Sequence, residues 1–289
     1  MKIRIKRKIV WWIFLSILLI TVVIFITCQI DHGLGPLHSK ISGRVYLSGD
    51  LPPHTDEIRV AAALTFPPRN INELLFSDML QFKSGNKITN PSPEWKIYLP
   101  EGTYGVVAAI WKGDNQSWNI SDVIGVYGVT FIGNVLTGLP QPVTIRNEYD
   151  VLDTINIIAN LDRVNRDATI KGRITFQGKW PENTGITGVG AFFEIPEKND
   201  PFDYFYKNAA LDYGVKTFTE QYDYTLRVNS SDTLKYIAVL WIDDSFDLNQ
   251  IHDIGFYPDS DDPEIPGTVV VEPNSSVSDI NITVDFSKM

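Results

Sequence analysis

Cysteine is almost absent from this chain of 289 residues: there is one, Cys28. No internal disulfide can form, so folding rests on buried apolar area in any compartment. Histidine is scarce too. Of the four, His32, His38 and His54 fall early, with no cysteine or acid pair at ligand spacing, and no metal site is expected there. His252 is the one histidine left, and no Gly-x-Ser-x-Gly elbow accompanies it, which argues against serine-nucleophile hydrolysis. Basic charge is depleted as well. Five basic residues, Lys2, Arg4, Lys6, Arg7 and Lys8, precede Cys28, and the rest carries 20 basic against 35 acidic side chains, a net of −15. Such a body does not seek nucleic-acid phosphates.

What is present is apolar: 44% of all residues by the broad count, with aromatics making up 12% of the chain, which excludes a disordered chain. Residues 9–27 form an acid-free apolar run broken only by Ser16, Thr21 and Thr27. As a helix at about 1.5 Å per residue it nearly spans a bilayer core, and the basic head sends everything after residue 28 across the membrane. Basic head, apolar run and terminal Cys28 resemble a bacterial lipoprotein signal peptide, which implies cleavage before Cys28 and its acylation. Phe25 and Thr27 depart from that pattern, and a retained transmembrane helix stays open as the alternative. Gln29 after the cysteine resembles lipoproteins passed to an outer membrane. The spacer 29–39 reaches at most about 40 Å, so the body is expected close to its membrane.

Beyond it the chain repeats. Residues 41–52, with Ile41, Gly43, Arg44, Val45 and Pro52, align with residues 170–181, with Ile170, Gly172, Arg173, Ile174 and Pro181. Residues 107–111 align with 237–241, placing Trp111 on Trp241, and 124–127 align with 254–257, placing Tyr127 on Tyr257. Ile155-Asn156-Ile157 aligns with Ile280-Asn281-Ile282. Blocks in one order at nearly constant offset predict two tandem domains, 40–162 and 168–289, joined by the charged stretch 162–167. That stretch lacks the Gly and Ser of flexible linkers, so the domains are expected to be close neighbours.

Alternation and turn residues predict strands at 41–47, 58–66, 95–99, 104–111, 143–146 and 151–161, and again at 170–176, 189–195, 222–228, 236–241, 268–271 and 280–286. Segments 72–80 and 201–211 are read as short helices. The expected class is all-β: two tandem antiparallel sandwiches behind an N-terminal hydrophobic helix. The series Ile41, Gly43, Val45, then Leu99, Pro100, Gly102, Thr103, Tyr104, Val106 and Ala108 resembles the carboxypeptidase regulatory-like domains of the transthyretin, or prealbumin-like, fold. The resemblance implies a Greek-key sandwich serving as an accessory or binding module, and transfers no catalytic residue. In the second unit it leans on the internal repeat.

The most pointed polar cluster is Asp243, Asp244, Asp247, Asn249 and Asp253, which offers enough oxygens for calcium. Leu248 stands where an EF-hand needs glycine, and a solvated acidic loop is the competing reading. Trp111 and Trp241 read as core. Trp95, Trp118 and Trp180 have no tryptophan counterpart and are the candidates for stacking on a ligand such as a sugar ring. The expected function is a membrane-tethered, extracytoplasmic binding or scaffolding lipoprotein of the bacterial envelope without catalysis, whose partner is an envelope protein or polysaccharide. Two alternatives stay open: a carboxylate-based hydrolase, for example of glycosides, and a single-pass anchored structural envelope protein.

Overall fold

Alternating burial along 41–47 shows why the first repeated block is a strand: Ile41 and Val45 are fully buried while Arg44 and Tyr46 face water. The computed structural model describes residues 38–288 apart from 70, 199, 231 and 232; the leader helix, Cys28 and most of the spacer lie outside these. Among the described residues no helix is long and apolar enough to cross a membrane.

The first strand set contains β1 (Lys40–Ser48), β2 (Thr55–Ala63), β3 (Leu75–Phe76), β4 (Glu94–Tyr98), β5 (Val106–Gly113), β6 (Val123–Val126), β7 (Val151–Asp153) and β8 (Ile157–Asn160). The second contains β9 (Ala168–Gln177), β10 (Thr184–Phe192), the helix α1 (Pro201–Tyr206), β11 (Asn208–Asp212), β12 (Gln221–Val228), β13 (Tyr236–Asp243), β14 (His252–Phe256), β15 (Ser276–Val277) and β16 (Ile282–Asp285). The fold is all-β, and every ladder pairs strands of one set.

Each set builds two four-stranded sheets. In the first, β4 pairs antiparallel with β1, while β7 and then β8 run parallel along its other edge; β3-β2-β5-β6 forms the facing sheet. The second set repeats this with β12, β9, β15 and β16 in one sheet and β11-β10-β13-β14 in the other. The parallel pairing of first and last strands adds to the antiparallel sandwich expected from sequence. Between β7 and β8 the chain jogs at Thr154 (φ 100°) and lays the Ile155 carbonyl over Gly43; a Cβ there would stand 2.1 Å from that oxygen. At Gly172 the Ile280 carbonyl would stand 1.8 Å away, so the glycine of each repeated block is a packing requirement.

One apolar cluster fills each sandwich, with Ile41, Val60, Trp95 and Val107 in the first and Ile170, Val189, Leu226 and Ile237 in the second. A third lies between the sets. Ala61, Val106, Ala108 and Ile110 meet Phe192, Tyr236, Ala238, Leu240 and the aromatics of α1. Strands β5 and β13 are therefore buried on both faces, as their unbroken apolar runs require. Residues 38–289 form one compact unit in consequence.

The expected helix at 72–80 is a single 3₁₀ turn, Ile71–Glu73, followed by β3. Its chain continues the sheet edge: Ser77 Oγ accepts the Val60 N–H at 2.9 Å, and Leu80 N–H donates to Ile58 O at 2.9 Å. Bonding to β2 outcompetes a helix. The helix at 201–211 stops at Tyr206, and the chain becomes edge strand β11.

Candidate functional site

The segment between the sets is a 3₁₀ turn, Leu161–Val164, opened by Asn160, whose side chain accepts the Asp162 N–H at 3.0 Å. This turn drives Arg163 into the shared core, where it is 2% exposed. Its guanidinium donates to Val123 O at 3.2 Å and to Asn134 O in the first set, and to Tyr206 O at 3.4 Å in the second. Burial, reinforced by Arg166 nearby, brings its pKa down to about 9. Arg166 donates to Asp122 at 2.7 Å and to Ser121 O at 3.1 Å. Burial raises the Asp122 carboxyl above its ordinary range despite the opposing pull of Arg166. The charged stretch is thus the buried joint of the molecule.

Directly outside this joint a recess of about 510 Å³ opens between the sets. Its first wall carries His54, Gln116, Ser117, Trp118 and Asn119; its second carries Asp212, Tyr213, Thr225 and Arg227. Asn119 Nδ2 ties the walls together by donating to Leu211 O at 3.0 Å. Arg227 spends one N–H on Arg166 O at 3.1 Å and is otherwise exposed. The two acids of the recess are both engaged, Asp122 by Arg166 and Asp212 by the Gly214 N–H at 2.8 Å. A second recess of about 400 Å³ shares Trp118, Asn119 and Tyr213 with the first and is otherwise walled mainly by Ile120, Ile186, Phe246 and Leu248. The Tyr213 hydroxyl is buried without a protein partner, and burial pushes its phenol pKa up.

Of the three tryptophans expected to stack on ligand, only Trp118 lines these recesses. Its ring packs on Phe76, with centroids 5.0 Å apart, and lies under the Lys112 ammonium at 5.5 Å, so it is a braced wall. Trp95 requires correction: it is 5% exposed and belongs to the first core. The phase of β4 explains this, since Trp95 and Ile97 point inward while Glu94 and Lys96 point out. Trp180 is packed with Phe176, Phe286 and Phe218, away from both recesses, and donates to Thr219 O at 3.0 Å. Trp111 and Trp241 are buried, and each donates its indole N–H to a threonine, Thr55 at 2.9 Å and Thr184 at 3.0 Å.

The calcium loop is not assembled. Asp243 accepts from Ser245 N at 3.1 Å, and Asp247 accepts from Asn249 N at 2.9 Å, so these carboxylates close turns of their own backbone. Asp244 donates its backbone N–H to Asn183 O at 2.8 Å. Asp253 sits on β14 and accepts from the hydroxyls of Tyr204 at 2.7 Å and Tyr236 at 2.5 Å. Among the described residues the acids that do converge as a group of three are Glu197, Asp200 and Asp203, with ligand atoms within 4.8 Å of one another. Asp200 caps α1 and Asp203 pairs with Lys207 at 2.5 Å, which accounts for two of them. What the loop gives the site is apolar: Phe246 and Leu248.

Reasoning from sequence missed Arg227, Tyr213, Phe246 and Leu248. The signal available was divergence. Repeat alignment sets Leu248 against Trp118, Phe246 against Gln116 and Ile186 against Glu57.

No protein-family profile matches the chain, and no curated protein does. Among solved structures, a leucine-rich repeat protein from Bacteroides thetaiotaomicron aligns at 11% identity and a TM-score of 0.33, over 85% of this chain and 26% of that one. This chain thus spans about a quarter of that protein's length. A candidate cell adhesion protein from Bacteroides fragilis aligns at 12% identity and a TM-score of 0.22, over 83% of this chain and 81% of its own. The major pilin of Streptococcus pyogenes aligns at 9% identity and a TM-score of 0.20, over 85% of this chain and 96% of its own. Alignments at these scores give no common whole-chain superposition.

Proposed function

We propose that this protein is a non-enzymatic binding module of the bacterial cell envelope, tethered by lipid on Cys28, with two tandem carboxypeptidase regulatory-like domains that take an envelope polysaccharide in the cleft between them. The observation that carries the reading is the composition of the larger recess. An aromatic wall at Trp118 stands beside amide, hydroxyl and guanidinium groups on Gln116, Ser117, Thr225 and Arg227. Such a mixture of ring faces and hydrogen-bonding groups suits a sugar. Its two acids, one ion-paired and one closing a turn, are poorly placed to serve as the acid and base that glycoside hydrolysis needs. Calcium has no role in this reading.

The body beginning at Ser39 is to be screened on a glycan array, with Arg227→Ala and Trp118→Ala in parallel. Binding that falls in both variants supports the reading. Turnover of a glycan, lost when one carboxylate is replaced, overturns it in favour of the hydrolase. The tether is tested by mass: a mature chain beginning at a diacylglyceryl Cys28 is expected, and an intact leader assigns the anchor to a retained helix.

A further inference from the structure

Resting on that reading of the cleft, we propose that the ligand is an amphiphile: a glycolipid whose sugar head sits in the polar recess and whose alkyl chain lies in the apolar one. The two recesses differ in chemistry and both have Trp118, Asn119 and Tyr213 in their linings, so an extended molecule crossing at these residues would occupy both. Among the described residues that line the apolar recess none is a carboxylic acid, lysine, arginine or histidine. A peptide segment would bring backbone polar groups into that wall with few partners, whereas an alkyl chain brings none.

Divergence between the repeats points the same way. Where the first repeat has Glu57 and Gln116, the second has Ile186 and Phe246, both on this recess. Phe246 is 50% exposed and holds φ at 55°, a left-handed conformation that a non-glycine residue adopts only at a cost. Its N–H donates to Asp243 O at 3.1 Å, and the Asp243 carboxylate accepts the Ser245 N–H, so Asp243 closes the turn that holds this aromatic ring at the rim. A strained backbone presenting an exposed ring over an apolar recess is the arrangement of a ligand clamp. On the tethered reading a membrane would supply the alkyl chain, since the spacer 29–39 reaches at most about 40 Å.

The full chain in native membranes is to be exposed to n-octyl β-D-glucoside bearing a terminal diazirine, illuminated, and the labelled peptides identified by mass spectrometry. Diazirine-bearing octanoate tests the tail alone, and unlabelled glucose competes for the head. Expected is glucoside label on the peptides holding Ile186, Phe246 or Leu248, displaced by unlabelled octyl glucoside. Phe246→Asp should cut it about tenfold, the loss of one buried apolar contact. Phe246→Ala, which leaves the turn's hydrogen bonds available, serves as the milder variant and should cut it less. Equal labelling by octanoate overturns the amphiphile, because the head then contributes nothing. Label absent from these peptides while the glycan array still reports binding overturns the alkyl site and leaves the polysaccharide reading standing. Cross-links to a protein or a second copy at Phe246 assign the recess to a macromolecule and overturn the proposal.

Discussion

The two strand sets are alike where they are held together and unlike where they face each other. Trp111 to Thr55 is matched by Trp241 to Thr184, Gly43 under Ile155 by Gly172 under Ile280, and Arg44 N–H to Asn156 Oδ1 at 3.0 Å by Arg173 N–H to Asn281 Oδ1 at 2.8 Å. Tyr127 and Tyr257 occupy the same register, each donating its N–H at 2.8 Å, to Val107 O and Ile237 O. On the cleft the correspondence fails: Trp118 faces the position of Leu248, and His54 that of Asn183. Packing needs are shared by both copies, and whatever binds in the cleft meets their differences.

The matched glycines test that contrast most severely. Gly43→Ala and Gly172→Ala each drive a methyl group into a carbonyl oxygen, and each is expected to cost about 3 kcal/mol or more. For a chain of this size that is a fall in Tm of about 6–12 °C by calorimetry. A large loss at one glycine alone would break the equivalence of the sets. Arg163→Ala comes next, at about 2–4 kcal/mol, because it removes the buried guanidinium that donates to the carbonyl groups of Val123, Asn134 and Tyr206. The arginine's counterpart in the repeat, Lys288, is exposed and Arg163 is buried between the sets, so its loss should also separate one unfolding transition into two, visible in the same scans.

Smaller effects sharpen the comparison. Thr55→Val and Thr184→Val remove matched acceptors of the indole N–H groups, at about 1 kcal/mol each, with the buried Thr55 the costlier. Glu57 marks where the copies diverge in charge. Burial works to raise its carboxyl, but hydrogen bonds from Arg59 and Lys112 outweigh this and hold it below the ordinary range. Its contribution to stability is therefore present above the unfolded carboxyl pKa and fades as pH falls through the lowered folded value. The difference in stability between the native chain and Glu57→Gln should close in that window in an acid titration. Smallest is Tyr213→Phe, which deletes a buried hydroxyl without a partner and should leave Tm unchanged or slightly raised. A clear fall would show that the hydroxyl is satisfied.

Strands were legible wherever one face meets water. Residues 41–47 and 94–98 alternate, and the same alternation carried the inward placing of Trp95, which its lack of a partner in the other copy obscured. The shared core was written in the unbroken apolar runs of β5 and β13, which alternation cannot assign to a face. The aspartates of residues 243–253 read as ligands because composition does not show that a side chain closes its own turn two residues on. The cleft arises from contacts about 100 residues apart in sequence, such as Asn119 to Leu211, and no local pattern reports these.

The parallel pairing of β1 with β8 has a mechanical consequence. Val45 to Ser48 lie beside Ile157 to Asn160 and run in the same direction, so the chain enters the first set at one end of this ladder and leaves it at the other. A pull between residue 40 and residue 160 therefore loads the ladder in shear, with its hydrogen bonds strained together and not opened one at a time. β9 and β16 repeat the arrangement, from Ile174 beside Ile282 to Gln177 beside Asp285.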